Sequence, residues 1–269
     1  MKSAHISLIV AAAMMAFSAP TQAEAPVSDI WPSLRAEIFN TAAIAENNGV
    51  VMLQAPERAE DAALVPITVR VKDTPQSPVR KVTIIIDENP SPVAAVISFG
   101  DDTASTERAV ATRVRVDRYS SIRAIAETAD GKLHMAVRFV KASGGCSAPA
   151  SKDAEIALRD IGKMQIATRR LDASAAPLVA ETKIMVRHPN FSGLQIDDVT
   201  RGYRPAHFLH NLEVRQGSRL LMSVEAGISI SENPHFVLAY GAVNAEPVTV
   251  TARDSEGAEF KGRADQPGS

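Results

Sequence analysis

The sequence predicts an all-β protein made of two β-sandwiches. Three observations predict it. Apolar residues recur with period two in many short runs, the spacing that puts one face of a strand inward. Turn residues separate those runs at short intervals, and helical spacing is confined to two short stretches. With 45% apolar residues the chain can build ordinary cores, and 269 residues suit two modest domains.

Residues 1–23 read as a secretory signal. Lys2 supplies the positive start and residues 6–17 an apolar run too short to span a bilayer comfortably. Thr21 and Ala23 are the small residues of the exit, so cleavage is expected after about Ala23 and the mature protein is expected in the periplasm. Removing this segment takes away Lys2 and no acid, so the net charge moves from −2 to about −3. No basic patch with interleaved aromatics is present, which argues against nucleic acid as a partner. No later stretch is apolar enough for a membrane span.

Residues 28–39 read as a short helix, with Ser28 or Asp29 as the cap, Pro32 in the first turn, and Leu34 and Ile38 on one face. Period two begins near Val65. Strands are expected over 67–71, 81–87, 93–99 and 109–116, the second so rich in β-branched residues that both its faces can be buried. Val110, Thr112, Val114 and Val116 share one side of the last; Arg113 and Arg115 fall on the other. Residues 122–129 and 132–140 flank Asp130-Gly131, a pair that favours a type I′ hairpin. The second of these strands runs straight into Gly144-Gly145-Cys146.

Residues 151–162 read as a linker helix, capped by Ser151 and stopped by Gly162. Further strands are expected around 184–186, 208–214, 220–226, 236–240 and 248–252. His188-Pro189 opens a long loop between the first two, and a polar tail closes the chain. Glu88-Asn89-Pro90 and Glu232-Asn233-Pro234 each precede an apolar strand, a faint internal echo of two similar sandwiches. The domain division is 1–23 for the signal, 24–143 for the first sandwich, 144–163 for the arm and linker helix, 164–262 for the second sandwich and 263–269 for the tail.

Cys146 is the only cysteine. Gly144 and Gly145 free the backbone before it, and Ser, Ala and Pro after it offer nothing large to pin it to a core. The expectation is an exposed thiol on a mobile tether; a lone cysteine is otherwise a small buried hydrophobe. In an exported protein an odd thiol points to intermolecular pairing or a reactive group. Lys141 and Lys152 are near enough in sequence to assist the thiolate modestly. A cysteine hydrolase needs a histidine fixed against the sulfur, which a loose glycine tether cannot hold, so no catalytic residue is assigned. No Cys/His cluster has zinc spacing, and neither metal nor cofactor is called for. His210 lies in an apolar series and reads as a core histidine. His188 is a candidate for facing the arm across the inter-domain groove, the plainer alternative being a turn histidine.

Several of these stretches carry a family resemblance. Gly144-Gly145-Cys146, with Asn89-Pro90, Arg113-Val114-Arg115 and the Asp130-Gly131 hairpin, resembles SoxY. His188-Pro189, Gly193-Leu194, Pro205-Ala206-His207-Phe208 and Asn233-Pro234 resemble SoxZ. Together they resemble the SoxYZ sulfur-oxidation carrier in one chain, closest to the type associated with quinoprotein dehydrogenases. The resemblance implies immunoglobulin-like sandwiches, Cys146 as the covalent attachment point, Gly144 and Gly145 as the arm's hinge, and partner enzymes that load and unload the thiol. Those partners would be periplasmic redox or hydrolytic enzymes, a quinoprotein dehydrogenase system among them. The chain departs from the family where Ser147-Ala148 replace Gly-Gly and where the arm continues into a second domain. The cargo expected from the family is sulfane sulfur or thiosulfonate. A different class of function is a non-covalent binding or assembly module for a periplasmic dehydrogenase. A reachable Cys146 favours the carrier, and a buried one counts against it.

Overall fold

The isoleucine-rich run near residue 84 shows how the sheets form. Val82, Ile84 and Ile86 point into the space between two sheets, and Ile85 points out under a helix, so both faces are buried as expected. The computed structural model describes residues 30–264, apart from 75, 101–105, 150–157, 172–179, 198 and 242–245. The expected signal segment, the cap residues Ser28 and Asp29, Lys152 and all but the end of the expected linker helix lie outside the described residues.

The fold is all-β, with two immunoglobulin-like domains. The first domain comprises α1 (Trp31–Phe39), β1 (Ile44–Glu46), β2 (Val51–Gln54), β3 (Val65–Lys72), β4 (Val79–Ile86), β5 (Val93–Phe99), β6 (Glu107–Val114), β7 (Ser120–Thr128) and β8 (Leu133–Val140). The second comprises β9 (Met164–Arg170), β10 (Ala180–Val186), β11 (Leu209–Gln216), β12 (Arg219–Ala226), β13 (His235–Tyr240), β14 (Val248–Asp254) and β15 (Glu259–Arg263).

The domains share their sheets. One sheet has nine strands in the order β1-β8-β7-β4-β5-β12-β11-β14-β15, and the other has six in the order β2-β3-β6-β13-β10-β9. The crossings between domains are antiparallel, β5 with β12 through Ile97 opposite Val224, and β6 with β13 through Val110 opposite Leu238. A single apolar core runs across the seam, joining Val82 and Ile97 to Leu212 and Val224. Pairing covers edges of β5, β6, β12 and β13 that would otherwise present unpaired backbone groups.

A second apolar cluster lies on the outer face of the nine-stranded sheet. Leu133, Met135 and Val137 of β8 join Ile85 and Ile125 there, covered by Trp31, Leu34, Ile38 and Phe39 from α1. The alternation in β8 therefore serves the helix, while Ala136 and Val140 face the main core. Arg123 is buried beneath α1. Its Nε and Nη2 donate to Asp87 at 2.8–3.0 Å, and its guanidinium lies 4.0 Å from the centre of the Trp31 ring.

Three expectations are corrected. The turn after β7 is a three-residue loop over 129–131. Gly131 has φ +78° and Asp130 is not among the residues with positive φ, which excludes type I′ and fits a type I turn closed by a glycine bulge. His210 is exposed, because β11 bulges between Leu209 and Asn211 and breaks the alternation that placed it in the core. The chain beyond Gly262 is not frayed at once: Arg263 belongs to β15 and Ala264 is buried.

Replacing Asp87 with alanine strands the Arg123 charge in a buried place, a change that costs about 3–5 kcal/mol. Denaturant unfolding of Asp87→Ala is expected to show that loss. Because the sheets are shared, fluorescence of Trp31 and far-UV circular dichroism are expected to report one coincident transition in the parent protein.

Candidate functional site: the docked cysteine arm

The arm begins where β8 ends. Lys141 N donates to Glu57 O, and the Lys141 ammonium pairs with Glu57 Oε1 at 2.7 Å. That ion pair turns this lysine away from the thiol it was expected to assist, and it holds the Glu57 carboxyl below the usual range. Ala142 is buried. Gly144 N then donates to Asp117 O at 2.8 Å and Gly145 N to Val116 O at 3.0 Å.

The two glycines do different jobs. Gly144 has φ +78° and nothing within 4 Å of the place a Cβ would occupy, so it needs glycine for its backbone conformation. Gly145 needs it for space. A Cβ there would lie 2.1 Å from Ala62 O and 2.7 Å from Val116 O. Together they lay the arm flat against the first domain.

The second domain covers it. The loop from β10 to β11 doubles back on itself, with Phe191 and His207 exchanging backbone hydrogen bonds of 2.8 and 3.1 Å. From this loop Ser192 Oγ donates to Cys146 O at 2.5 Å and Gln195 Nε2 donates to Ala148 O at 3.2 Å. Between the layers lies Arg115, 1% exposed, donating from Nη1 to Gly145 O at 3.3 Å and from Nη2 to Asn190 O at 3.2 Å. Asn89 ties the same corner, with Nδ2 donating to Arg115 O and to Ser229 Oγ and Oδ1 accepting from Asp117 N.

The result for Cys146 differs from expectation. The thiol is fully buried in the seam between the domains. Burial, reinforced by Asp117 and opposed by Arg115, pushes its pKa up to about 12. A docked thiol with that pKa is almost wholly protonated at neutral pH and is a poor nucleophile. The physical reason is tertiary: the small residues around Cys146 pin nothing themselves, but their backbone groups are bonded by Val116, Asp117, Arg115, Ser192 and Gln195.

His188 lies under the covering loop and does not bond the arm directly. Its Nδ1 accepts the Asn190 amide at 3.0 Å, and Asn190 O accepts from Arg115, so it braces the loop one residue removed from the arm. His188, His207 and Asp254 place their polar atoms within 4.8 Å of one another, and all three are buried. The hydrogen bonding argues against a metal there. With Nδ1 accepting the hydrogen bond from Asn190 N, neutral His188 carries its own proton on Nε2, leaving no lone pair there for an ion. His207 Nε2 instead bonds Asp254 Oδ2 at 2.9 Å. Burial and then the neighbouring His207 hold the His188 pKa at about 4. The unfolded chain takes up that proton below about pH 6.5, so this histidine lowers stability as pH falls from there toward 4.

From sequence, Asn190, Ser192 and Gln195 have no role at the arm, and Arg115 enters only as part of the Arg113-Val114-Arg115 block. The signal available was the set of separate blocks around His188, Gly193, His207 and Asn233. Folding joins them: Asn233 N donates to His188 O, and the Gly193 position lies against Ala206.

Two family models match the chain, over separate stretches. The family model for sulfur oxidation protein SoxY matches residues 35–146 and ends on Cys146; that for sulphur oxidation protein SoxZ matches residues 169–265. Among solved structures, a sulfur carrier protein SoxY from Chlorobium limicola f thiosulfatophilum is 27% identical, over 41% of this chain and 89% of that one, with a TM-score of 0.34. A superoxide reductase (neelaredoxin) from Ignicoccus hospitalis is 14% identical, over 36% of this chain and 93% of that one, with a TM-score of 0.31. No curated protein matches the chain.

The two glycines are separable by thiol labelling. Gly145→Ala clashes with fixed carbonyls, so it is expected to unseat the arm and speed alkylation of native protein at least tenfold. Gly144→Ala meets no clash; it carries a backbone cost of roughly 1–2 kcal/mol and a smaller increase. In the parent, an exposed thiol would reach its labelling plateau near pH 9. The raised pKa instead favours docking below about pH 9 and weakens it between there and about 12, so the rate is expected to keep climbing about tenfold per pH unit.

Proposed function

We propose the function of this chain from one premise: it belongs to the SoxY and SoxZ families, with one domain of each in a single polypeptide. On that premise it is a periplasmic carrier in sulfur oxidation. It holds a sulfur-containing, or another thiol-conjugated, intermediate covalently on Cys146 and presents it to partner enzymes that do the chemistry. Those partners are periplasmic redox or hydrolytic enzymes, a quinoprotein dehydrogenase system among them.

The observation that carries this reading is the place of the lone cysteine. It ends the SoxY match, follows two glycines, and is held by hydrogen bonds that can be exchanged for water. Five such bonds, at about 1 kcal/mol each, put release of the arm a few kcal/mol above the docked state. That is within the range of local opening in native proteins. Burial therefore sets a condition on the carrier. The arm leaves its seat to be loaded, and the thiol regains an ordinary pKa when it does. Gly144, with open space beside it, is the hinge; Gly145 is the surface that docks.

The same burial favours a second reading, a non-covalent binding or assembly module for a periplasmic dehydrogenase, in which Cys146 is a packing residue. One substitution separates them. For the carrier, Cys146→Ser is expected to abolish complementation in the native host while leaving thermal unfolding within a few degrees, and intact-mass analysis of protein from native cells is expected to show adducts confined to Cys146. Full complementation by Cys146→Ser would favour the module.

A further inference from the structure

The first domain buries three arginines. Two have carboxylates to match. Arg108 donates from Nε and Nη2 to the two oxygens of Asp73 at 2.8 and 2.6 Å, and Arg123 donates likewise to Asp87. Arg115 has none. Its Nη1 and Nη2 reach only neutral carbonyls, both at the long end of the hydrogen-bond range, and its Nε–H is buried without an acceptor among the described residues. Glu232 and Asp61 act on it only through space. A buried cation without a paired anion is costly, and structures rarely keep one idle.

The position of this guanidinium says what it waits for. It follows β6 on the face that the arm covers, and it bonds the carbonyl immediately before Cys146. A planar fork of N–H donors fits two oxygens of a sulfonate or carboxylate far better than it fits two separate carbonyls. Resting on the carrier reading above, we propose that Arg115 is the specificity-determining residue of the arm, selecting cargo that bears an anionic oxygen group and steadying that group while it is attached to Cys146. In the loaded state the anion takes the free Nε–H and replaces the Gly145 or Asn190 carbonyl on the fork. The covering loop makes way at Ser192 and Gln195, whose hydrogen bonds to the arm are single.

A charge series of thiol reagents tests this on the full chain. Methanethiosulfonates carrying a 2-sulfonatoethyl, a methyl or a 2-(trimethylammonio)ethyl group all react alike. The Cys146 thiolate attacks the sulfenyl sulfur, the bond to the sulfonyl sulfur breaks, methanesulfinate leaves with the electron pair, and the thiol proton goes to solvent. Arm opening is common to all three and uncovers the Arg115 guanidinium beside the lifted arm, so rate ratios cancel the opening and keep the charge that each reagent meets. Read by intact mass and normalised to the urea-unfolded chain, the anionic reagent is expected to gain about tenfold over the neutral one and about a hundredfold over the cation. Arg115→Gln is expected to remove the preference and Arg115→Lys to keep part of it. If Arg115→Gln does not fold, the parent still decides: dithiothreitol is expected to strip the anionic adduct about tenfold more slowly than the neutral one. Equal normalised rates for all three reagents would overturn the role of Arg115 and leave the carrier standing. No native adduct with any reagent would overturn the carrier, and this proposal with it.

Discussion

Two strand pairings across the seam hold everything else in place. β5 with β12 and β6 with β13 extend both sheets through the chain, so the halves cannot rotate past one another without breaking ladder hydrogen bonds. That constraint fixes the loop between β10 and β11 over the end of β8. A covering loop on a loosely hinged domain would not keep Ser192 within hydrogen-bond distance of Cys146 O.

The rigid frame surrounds a site governed by small differences. The arm is seated by backbone groups of the first domain on one side and by two side chains and an arginine on the other. Each contact is modest, and on the carrier reading their sum sets the free-energy cost of presenting the thiol. Asp117 and Arg115 pull the thiol in opposite directions, with desolvation deciding the outcome in favour of the protonated form. Inertness thus belongs to the docked setting: the same desolvation and charges that bury the thiol raise its pKa. On the carrier reading, a reactive thiol and a quiescent one are two positions of the same segment.

The strands were legible where their pattern was both periodic and buried. β5 lies on the run expected from sequence, and β4, β12 and β13 differ only at their ends. β1, β2, β9 and β15 were missed because they are short or half-exposed strands whose position is decided by the neighbour they pair with. The bulge that turned His210 outward leaves no mark in an alternating run. The arm was legible in identity and not in setting. Its composition says that no local group holds it, which is correct, but the groups that do hold it lie about 30 and 45 residues away in Arg115 and Ser192. Gly145 looks like a flexible residue in sequence, and only the approach of the Ala62 carbonyl gives it a packing role.

The single polypeptide has one further consequence. Were the arm and its covering loop on separate chains, the fraction of thiol sheltered would depend on how much of each chain was present. Here the cover is supplied intramolecularly, at an effective concentration set by the shared sheets rather than by expression or dilution. The guard over the sulfur is therefore as dependable in a single molecule as in a crowded compartment.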